Sequence, residues 1–269
     1  MKVLPLVVVF LVVATVAAYA LELKGNFVQG GLVRGKTKPG AIVMFDGRLV
    51  RVSPDGLFLI GFTRDAGTKA SLTVRTAGAS RKVRVLEVAK RSYDIQKIDG
   101  LPVAMVSPMR DALQRINSEN ERIRQARSRD TPETLFESGW IWPARGHISG
   151  VYGSQRILNG KPRQPHYGLD ISAPVGSPVV APAAGIVALV AQDMYFSGGT
   201  LILDHGHGLT SAFLHLSKIL VREGDVVRQG DLIAKIGATG RVTGAHLDWR
   251  INLFGARLDP ELLVESHEE

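Results

Sequence analysis

The sequence predicts an all-β chain in two unequal parts, a small β-sandwich and a compact antiparallel β-domain, joined by a short helical connector. Three observations predict it. There are 29 glycines and 13 prolines in 269 residues, which favours turns over long helices. Short runs such as Lys82–Val88 alternate polar and apolar residues with period two, the pattern of half-buried strands. Helical spacing is confined to 107–129. With 45% hydrophobic and 22% charged residues, a packed core is expected rather than disorder.

Taken in order, residues 1–20 read as a secretory signal peptide. Lys2 is the only early charge, Val3 to Ala18 is apolar except for Pro5 and Thr15, and Ala18-Tyr19-Ala20 has the small-x-small form of a cleavage site. The run is short for a membrane span, which needs about 20 residues. Left uncleaved, it would give a transient membrane association. Either way the expected location is the periplasm or cell envelope.

Residues 21–95 carry the predicted sandwich. Ala41–Phe45 runs into Asp46-Gly47, a hairpin dipeptide, and Leu49–Val52 runs into the turn Ser53-Pro54-Asp55-Gly56. The stretch KPGAIVMFDGRLVRVSPDGLFLIGF resembles the immunoglobulin-like modules of bacterial cell-envelope proteins. No paired carboxylates or histidines occur there, so no chemistry is assigned to it. Residues 96–138 form the connector. Ser107 and Pro108 suit a helix start. Met109, Leu113, Ile116 and Ile123 then recur at helical spacing in an otherwise polar stretch, giving a solvated helix with a narrow apolar seam.

Residues 139–266 hold the functional signal. Six of the seven histidines fall between 147 and 246. Cysteine is absent, which excludes disulfides, thiolate metal sites and cysteine nucleophiles. Any metal must therefore sit on His, Asp or Glu. In GAHLDWRINL, alternation puts Leu247, Trp249, Ile251 and Leu253 on one strand face and His246, Asp248, Arg250 and Asn252 on the other. His166 and Asp170, four apart in HYGLD, reach one point. His-x-x-x-Asp with His-x-Asp supplies enough nitrogen and oxygen ligands for one zinc with an open position, and a cysteine-free set is more often catalytic than structural. Asp204-His205-Gly206-His207 has ligand-like spacing but reads as a strand end and turn. Trp249 reads as core.

Carrying HYGLD, FLHLS and GAHLDW in that order, the stretch 141–260 resembles the lysostaphin-type (LytM-like) zinc metallopeptidases of bacterial cell walls. The resemblance implies a C-terminal domain of the lysostaphin-peptidase type. It implies zinc on His166, Asp170 and Asp248, with His215 and His246 as the catalytic pair and peptidoglycan as substrate. The family's third ligand is the second His of an H-x-H; here Asp248 stands in that place. The extra negative charge implies a less acidified water and a harder ligand set that also admits manganese. The implied activity is amide hydrolysis in peptidoglycan cross-links.

The net charge of +8 suits an acidic polymer, and no nucleic-acid partner is expected. Arg145, Arg156 and Arg163 precede the first ligand and are candidates for substrate carboxylates. Two other readings compete. Asp248 motivates a non-catalytic relative that binds wall or regulates a partner hydrolase. The segments SPVVAPAAGIVALV and VREGDVVRQGDLIAKIG also resemble biotinyl/lipoyl carriers and efflux-pump adaptors, but Lys218 is not in a carrier turn and neither fold explains the His and Asp array.

Overall fold

A computed structural model describes residues 21–78, 80–101, 103–107 and 109–265. The signal-peptide expectation for residues 1–20 lies outside the described residues. Among the described residues no helix is long and apolar enough to cross a membrane.

The N-terminal part is two small sheets face to face. Strands β1 (Glu22–Gly25), β2 (Leu32–Lys36) and β5 (Leu57–Gly61) form one. The other runs β4-β3-β6-β7, with β3 (Ile42–Phe45), β4 (Arg48–Val50), β6 (Lys69–Arg75) and β7 (Lys82–Glu87). The tight β3–β4 turn falls on Asp46 and Gly47, at φ 45° and 78°, the two left-handed positions that a two-residue hairpin requires. Alternate residues of both sheets, Val33, Val43, Phe58, Ile60 and Leu72 among them, meet in one core.

The connector is more than a tether. Strand β8 (Ile95–Ile98) pairs in parallel with β10 (Gln155–Leu158), whose other neighbour is β11 (Lys161–Pro162). After the single turn α1 (Val103–Val106), helix α2 (Arg110–Arg127) follows. The helix lies across β14 (Gly185–Met194) and β15 (Gly198–Asp204). Its seam is narrower than its spacing suggests. Ile116 and Ala126 are buried, Ile123 is partly so, and Met109 and Leu113 are exposed. Polar anchors replace the missing apolar ones: Arg115 Nη2 meets Asp193 Oδ2 at 3.0 Å, and the Tyr195 amide donates to Glu119 Oε2 at 2.8 Å.

The C-terminal part is a ten-stranded antiparallel sheet. Its spine runs β17-β14-β15-β16-β19-β12-β9, with β9 (His147–Gly150), β12 (Leu169–Ser172), β16 (Leu209–Ile219), β17 (Val226–Val227) and β19 (His246–Leu253). Strands β13 (Pro178–Val180), β18 (Leu232–Ile236) and β20 (Ala256–Leu258) pair off that path. One face of β19 does what its alternation predicts: Leu247, Trp249 and Ile251 are wholly buried in the main core with Leu169, Ile171, Leu201 and Phe213.

The two parts share surface. Leu32 and Leu59 of the sandwich belong to the C-terminal core. Buried Asp259 takes Arg91 Nη1 at 2.6 Å, and Arg64 Nε donates to the Gly153 carbonyl at 2.7 Å.

Candidate metal centre

Sheet register brings the acidic residues together. In the β12–β19 pair, Asp170 stands opposite Asp248 and Ser172 opposite His246. Two carboxylates thus face each other across adjacent strands, and both are buried. Like charges directly opposite are destabilising, the more so out of water. A positive charge has to sit among them.

Three cationic or ionisable groups do so. His166, in the loop before β12, is 1% exposed. Its Nε2 lies 3.1 Å from Asp170 Oδ1 and 3.6 Å from Asp248 Oδ2. Arg250, two residues along β19 on the same face as Asp248, grips that carboxylate with both prongs: Nε to Oδ1 at 2.8 Å and Nη2 to Oδ2 at 2.6 Å. Arg156 Nη2 meets Asp170 Oδ2 at 2.5 Å. Burial opposes ionisation of both aspartates and is outweighed. Arg250 and His166 hold Asp248 well below the usual carboxylate range, and His166 with Arg156 holds Asp170 below it. Burial likewise opposes a charged His166, but Asp170 and Asp248 raise its pKa. Glycine makes the room: a Cβ on Gly150 would collide with Asp170 Oδ2, and one on Gly168 with Asp248 Oδ1.

The second histidine sits beside this cluster. Strand β16 pairs with β19 up to Leu214 opposite Asp248, and His215 then turns into the left-handed region at φ 66°. A non-glycine residue held there is strained and often functional. Its ring centroid is 4.8 Å from that of His246. His215 Nδ1 lies 2.8 Å from the Thr239 carbonyl. A carbonyl only accepts, so Nδ1 carries the proton and Nε2 keeps its lone pair. Burial lowers the His215 pKa to about 4, so the ring is neutral at pH 7. His246 Nδ1 lies 3.0 Å from the Gly244 carbonyl, and its Nε2 is 3.8 Å from Asp170 Oδ1.

The structure thus gathers His166, Asp170, Asp248, His215 and His246 into one place, and His205 and His207 elsewhere. His205 is a buried brace, with Nδ1 2.6 Å from the Ala184 carbonyl and Nε2 2.7 Å from Ser211 Oγ. His207 takes the left-handed turn conformation at φ 53°. The three arginines before the first ligand have different surroundings. Arg156 binds Asp170, Arg163 donates to the Val106 carbonyl at 2.6 Å, and Arg145 is exposed. Sequence reasoning missed Arg250, Gly150, Gly168 and Thr239. Arg250 alone had a readable signal, its place two residues from Asp248 on one strand face.

The site opens on two cavities, and His215 lines both. One, of about 280 Å³, lies under α2. The other, of about 230 Å³, is walled by the connector through Gln96, Ile98 and Leu101 and includes His246 and Asp170.

The donor set fits a divalent ion. Among the described residues, His166, Asp170 and Asp248 each offer one ligand atom within 4.8 Å of the others. Both His166 ring nitrogens and Asp170 Oδ1 are buried without a well-aligned hydrogen bond, although Nε2 and Oδ1 lie 3.1 Å apart, which is costly unless something fills the gap. Asp248 Oδ2, though bonded to Arg250, keeps a second lone pair.

Comparison with known proteins agrees. The profile of "Peptidase family M23" matches residues 164–260. The crystal structure of a peptidase M23 from Pseudomonas aeruginosa is similar at TM-score 0.68 and 30% identity, covering 88% of this chain and 94% of that one. Peptidoglycan DD-endopeptidase ShyB of Vibrio cholerae is 41% identical over 87 residues, 32% of this chain and 20% of that protein. A lipoprotein NlpD/LppB homolog of Pseudomonas aeruginosa is 34% identical over 122 residues, 45% of this chain and 38% of that protein. The matched stretch is thus well under half of either curated relative's length.

Proposed function

The chain belongs to peptidase family M23, and from that premise we propose that it is an exported zinc endopeptidase that hydrolyses amide bonds in the peptide cross-links of peptidoglycan. The observation that carries this is the facing pair Asp170 and Asp248 with His166 Nε2 at 3.1 and 3.6 Å from their oxygens. A buried array of this kind is made for a cation. The similarity to a peptidoglycan DD-endopeptidase supports the substrate.

His166, Asp170 and Asp248 would hold the ion, with manganese as a second candidate. Bound there, it supplies Lewis acidity to the scissile carbonyl. The chain's own residues manage the protons. His215, neutral and fixed by Thr239, presents Nε2 as an acceptor for the proton of the attacking water. His246, beside it and closer to the carboxylates, hydrogen-bonds the developing oxyanion or returns a proton to the leaving amine. Asp248 with Arg250 acts as a charge-compensated donor. The guanidinium cancels the negative charge that distinguishes an aspartate from the imidazole usual at this position.

The same ion pairs favour a second reading. Arg250 on Asp248 and Arg156 on Asp170 already balance both carboxylates, as a wall-binding or regulatory relative without metal would need. Digestion of purified wall fragments, with product masses read with and without zinc or manganese, separates the two. Metal-dependent cleavage that His166→Ala abolishes is the expected result. A folded chain that takes up no metal at micromolar concentration and cuts nothing leaves the second reading.

A further inference from the structure

The cavity under α2 has a charge pattern that the hydrolytic centre does not use. Five guanidinium groups line it, those of Arg127, Arg156, Arg241, Arg250 and Arg257. Its acids are Glu119 and Asp248, and both are engaged. Glu119 takes Arg115 Nε at 2.7 Å and Asp248 takes Arg250. Arg156 is committed to Asp170. Arg241 stacks over the Phe196 ring at 4.6 Å, and Arg127 and Arg257 are the two without a carboxylate partner among the described residues. Arg127 Nε is shut off from solvent with no hydrogen-bond partner among the described residues. Arg257 Nη1 donates to a neutral amide, Asn252 Oδ1, at 2.9 Å. Burial and the neighbouring guanidiniums push the Arg127 pKa well down, and burial with Arg250 lowers that of Arg257 to about 10. Crowded cations with unused donors suit an anion that comes from outside.

We propose that this cavity is a subsite for a carboxylate of the substrate peptide, held by Arg127 and Arg257 beside the scissile bond. This rests on the peptidase reading and deepens it. A guanidinium fork matches a carboxylate in two parallel hydrogen bonds, and His215 at the common wall puts the subsite next to the reacting atoms. The other cavity shares Arg156 and Arg241 but adds the apolar Ile98, Leu101 and Leu158, and of the two only the cavity under α2 reaches Arg127 and Arg257. The groove is therefore polarised, with its acid-binding end under α2 and a more apolar end along the connector. A peptide with a free carboxylate on one side of the cleaved amide enters in one direction only.

The test is calorimetric binding to the purified full chain, metal-free and with zinc. The probes are a peptidoglycan stem tetrapeptide with free carboxylates and the same peptide fully amidated. The free peptide should bind about tenfold tighter or better, the gain from a charge-assisted bidentate pair. Arg127→Gln and Arg257→Gln should each remove most of that preference, and Arg84→Gln on the exposed face of the sandwich should not. If Arg127→Gln fails to fold, Arg257→Gln and the wild-type peptide pair still decide. Equal binding of the two peptides, binding of neither, or a preference untouched in the folded variants overturns the subsite. A chain that takes up no zinc and cuts nothing but keeps the preference retains the subsite and loses the hydrolase reading. One that cuts wall but binds both peptides equally loses the subsite alone.

Discussion

His166 and His205 are buried imidazoles in the same half of the molecule, and their surroundings are opposites. Each nitrogen of His205 has a hydrogen-bond partner, the Ala184 carbonyl on one side and Ser211 on the other. Neither nitrogen of His166 makes a well-aligned hydrogen bond, and two buried carboxylates face it. Burial and histidine density are the same signal at both places. What separates a brace from a ligand is whether the polar atoms are already satisfied. His207 shows that this alone is not enough. Its nitrogens are also unpartnered, yet its ring packs edge-on against Phe136 at a centroid distance of 5.3 Å. Among the described residues no carboxylate lies within ion-pair distance of it. A candidate ligand needs both an open lone pair and acidic company.

The strongest way to break this contrast is to delete each ring and count metal. His166→Ala should abolish zinc uptake measured by elemental analysis of the dialysed protein. His205→Ala should keep one zinc per chain while costing about 1–3 kcal/mol for each partner left unsatisfied, read by denaturant unfolding. Equal zinc loss in both would mean that the unpartnered nitrogens of His166 carry no special meaning. His215→Ala tests the neighbouring role. With the ligands intact zinc should remain bound, while kcat on wall fragments falls by about 10²–10⁴, the range for losing a general base.

Arg250 sharpens the contrast on the acidic side. Arg250→Ala leaves Asp248 buried with no guanidinium, which should cost the metal-free protein about 3–5 kcal/mol. Added zinc should return part of that stability, because the ion then supplies the missing positive charge. A variant as stable as wild type without metal would show that His166 alone suffices to balance Asp248.

Much of this architecture was legible because it rests on local rules. The Asp46-Gly47 hairpin follows from the φ values only those residue types accept easily. The two faces of β19 follow from period-two alternation, which put Trp249 in the core and Asp248 on the other side. The helix was legible in place but not in packing. Met109 and Leu113 keep the right spacing yet stay exposed, since the Arg115–Asp193 ion pair and the hydrogen bond from the Tyr195 amide to Glu119 hold the helix instead. The register was out of reach. Nothing local to HYGLD or GAHLDW says that Asp170 lands opposite Asp248, because pairing is decided by the whole sheet. The tie of Arg156 to Asp170 was out of reach for the same reason: its partner is on a strand beyond its own. Likewise β8, read as part of a connector, becomes a wall of the groove only through parallel pairing with β10.

The smallest effect belongs to the brace and is a matter of pH. Burial lowers the His205 pKa to about 4, against about 6.5 in an unfolded chain. Between those values the unfolded state binds a proton that the folded state refuses, so stability rises with pH across the window. The contribution is whole above about pH 6.5 and disappears as pH falls towards 4, with a ceiling of about 3 kcal/mol from the size of the shift. His205→Gln cannot titrate. Its unfolding free energy should therefore fall less steeply than that of wild type from pH 7 to pH 5, by about 2 kcal/mol over that interval. Parallel curves for the two proteins would show that His205 is not held neutral by its two hydrogen bonds and its burial, and the brace would lose its distinction from the ligand.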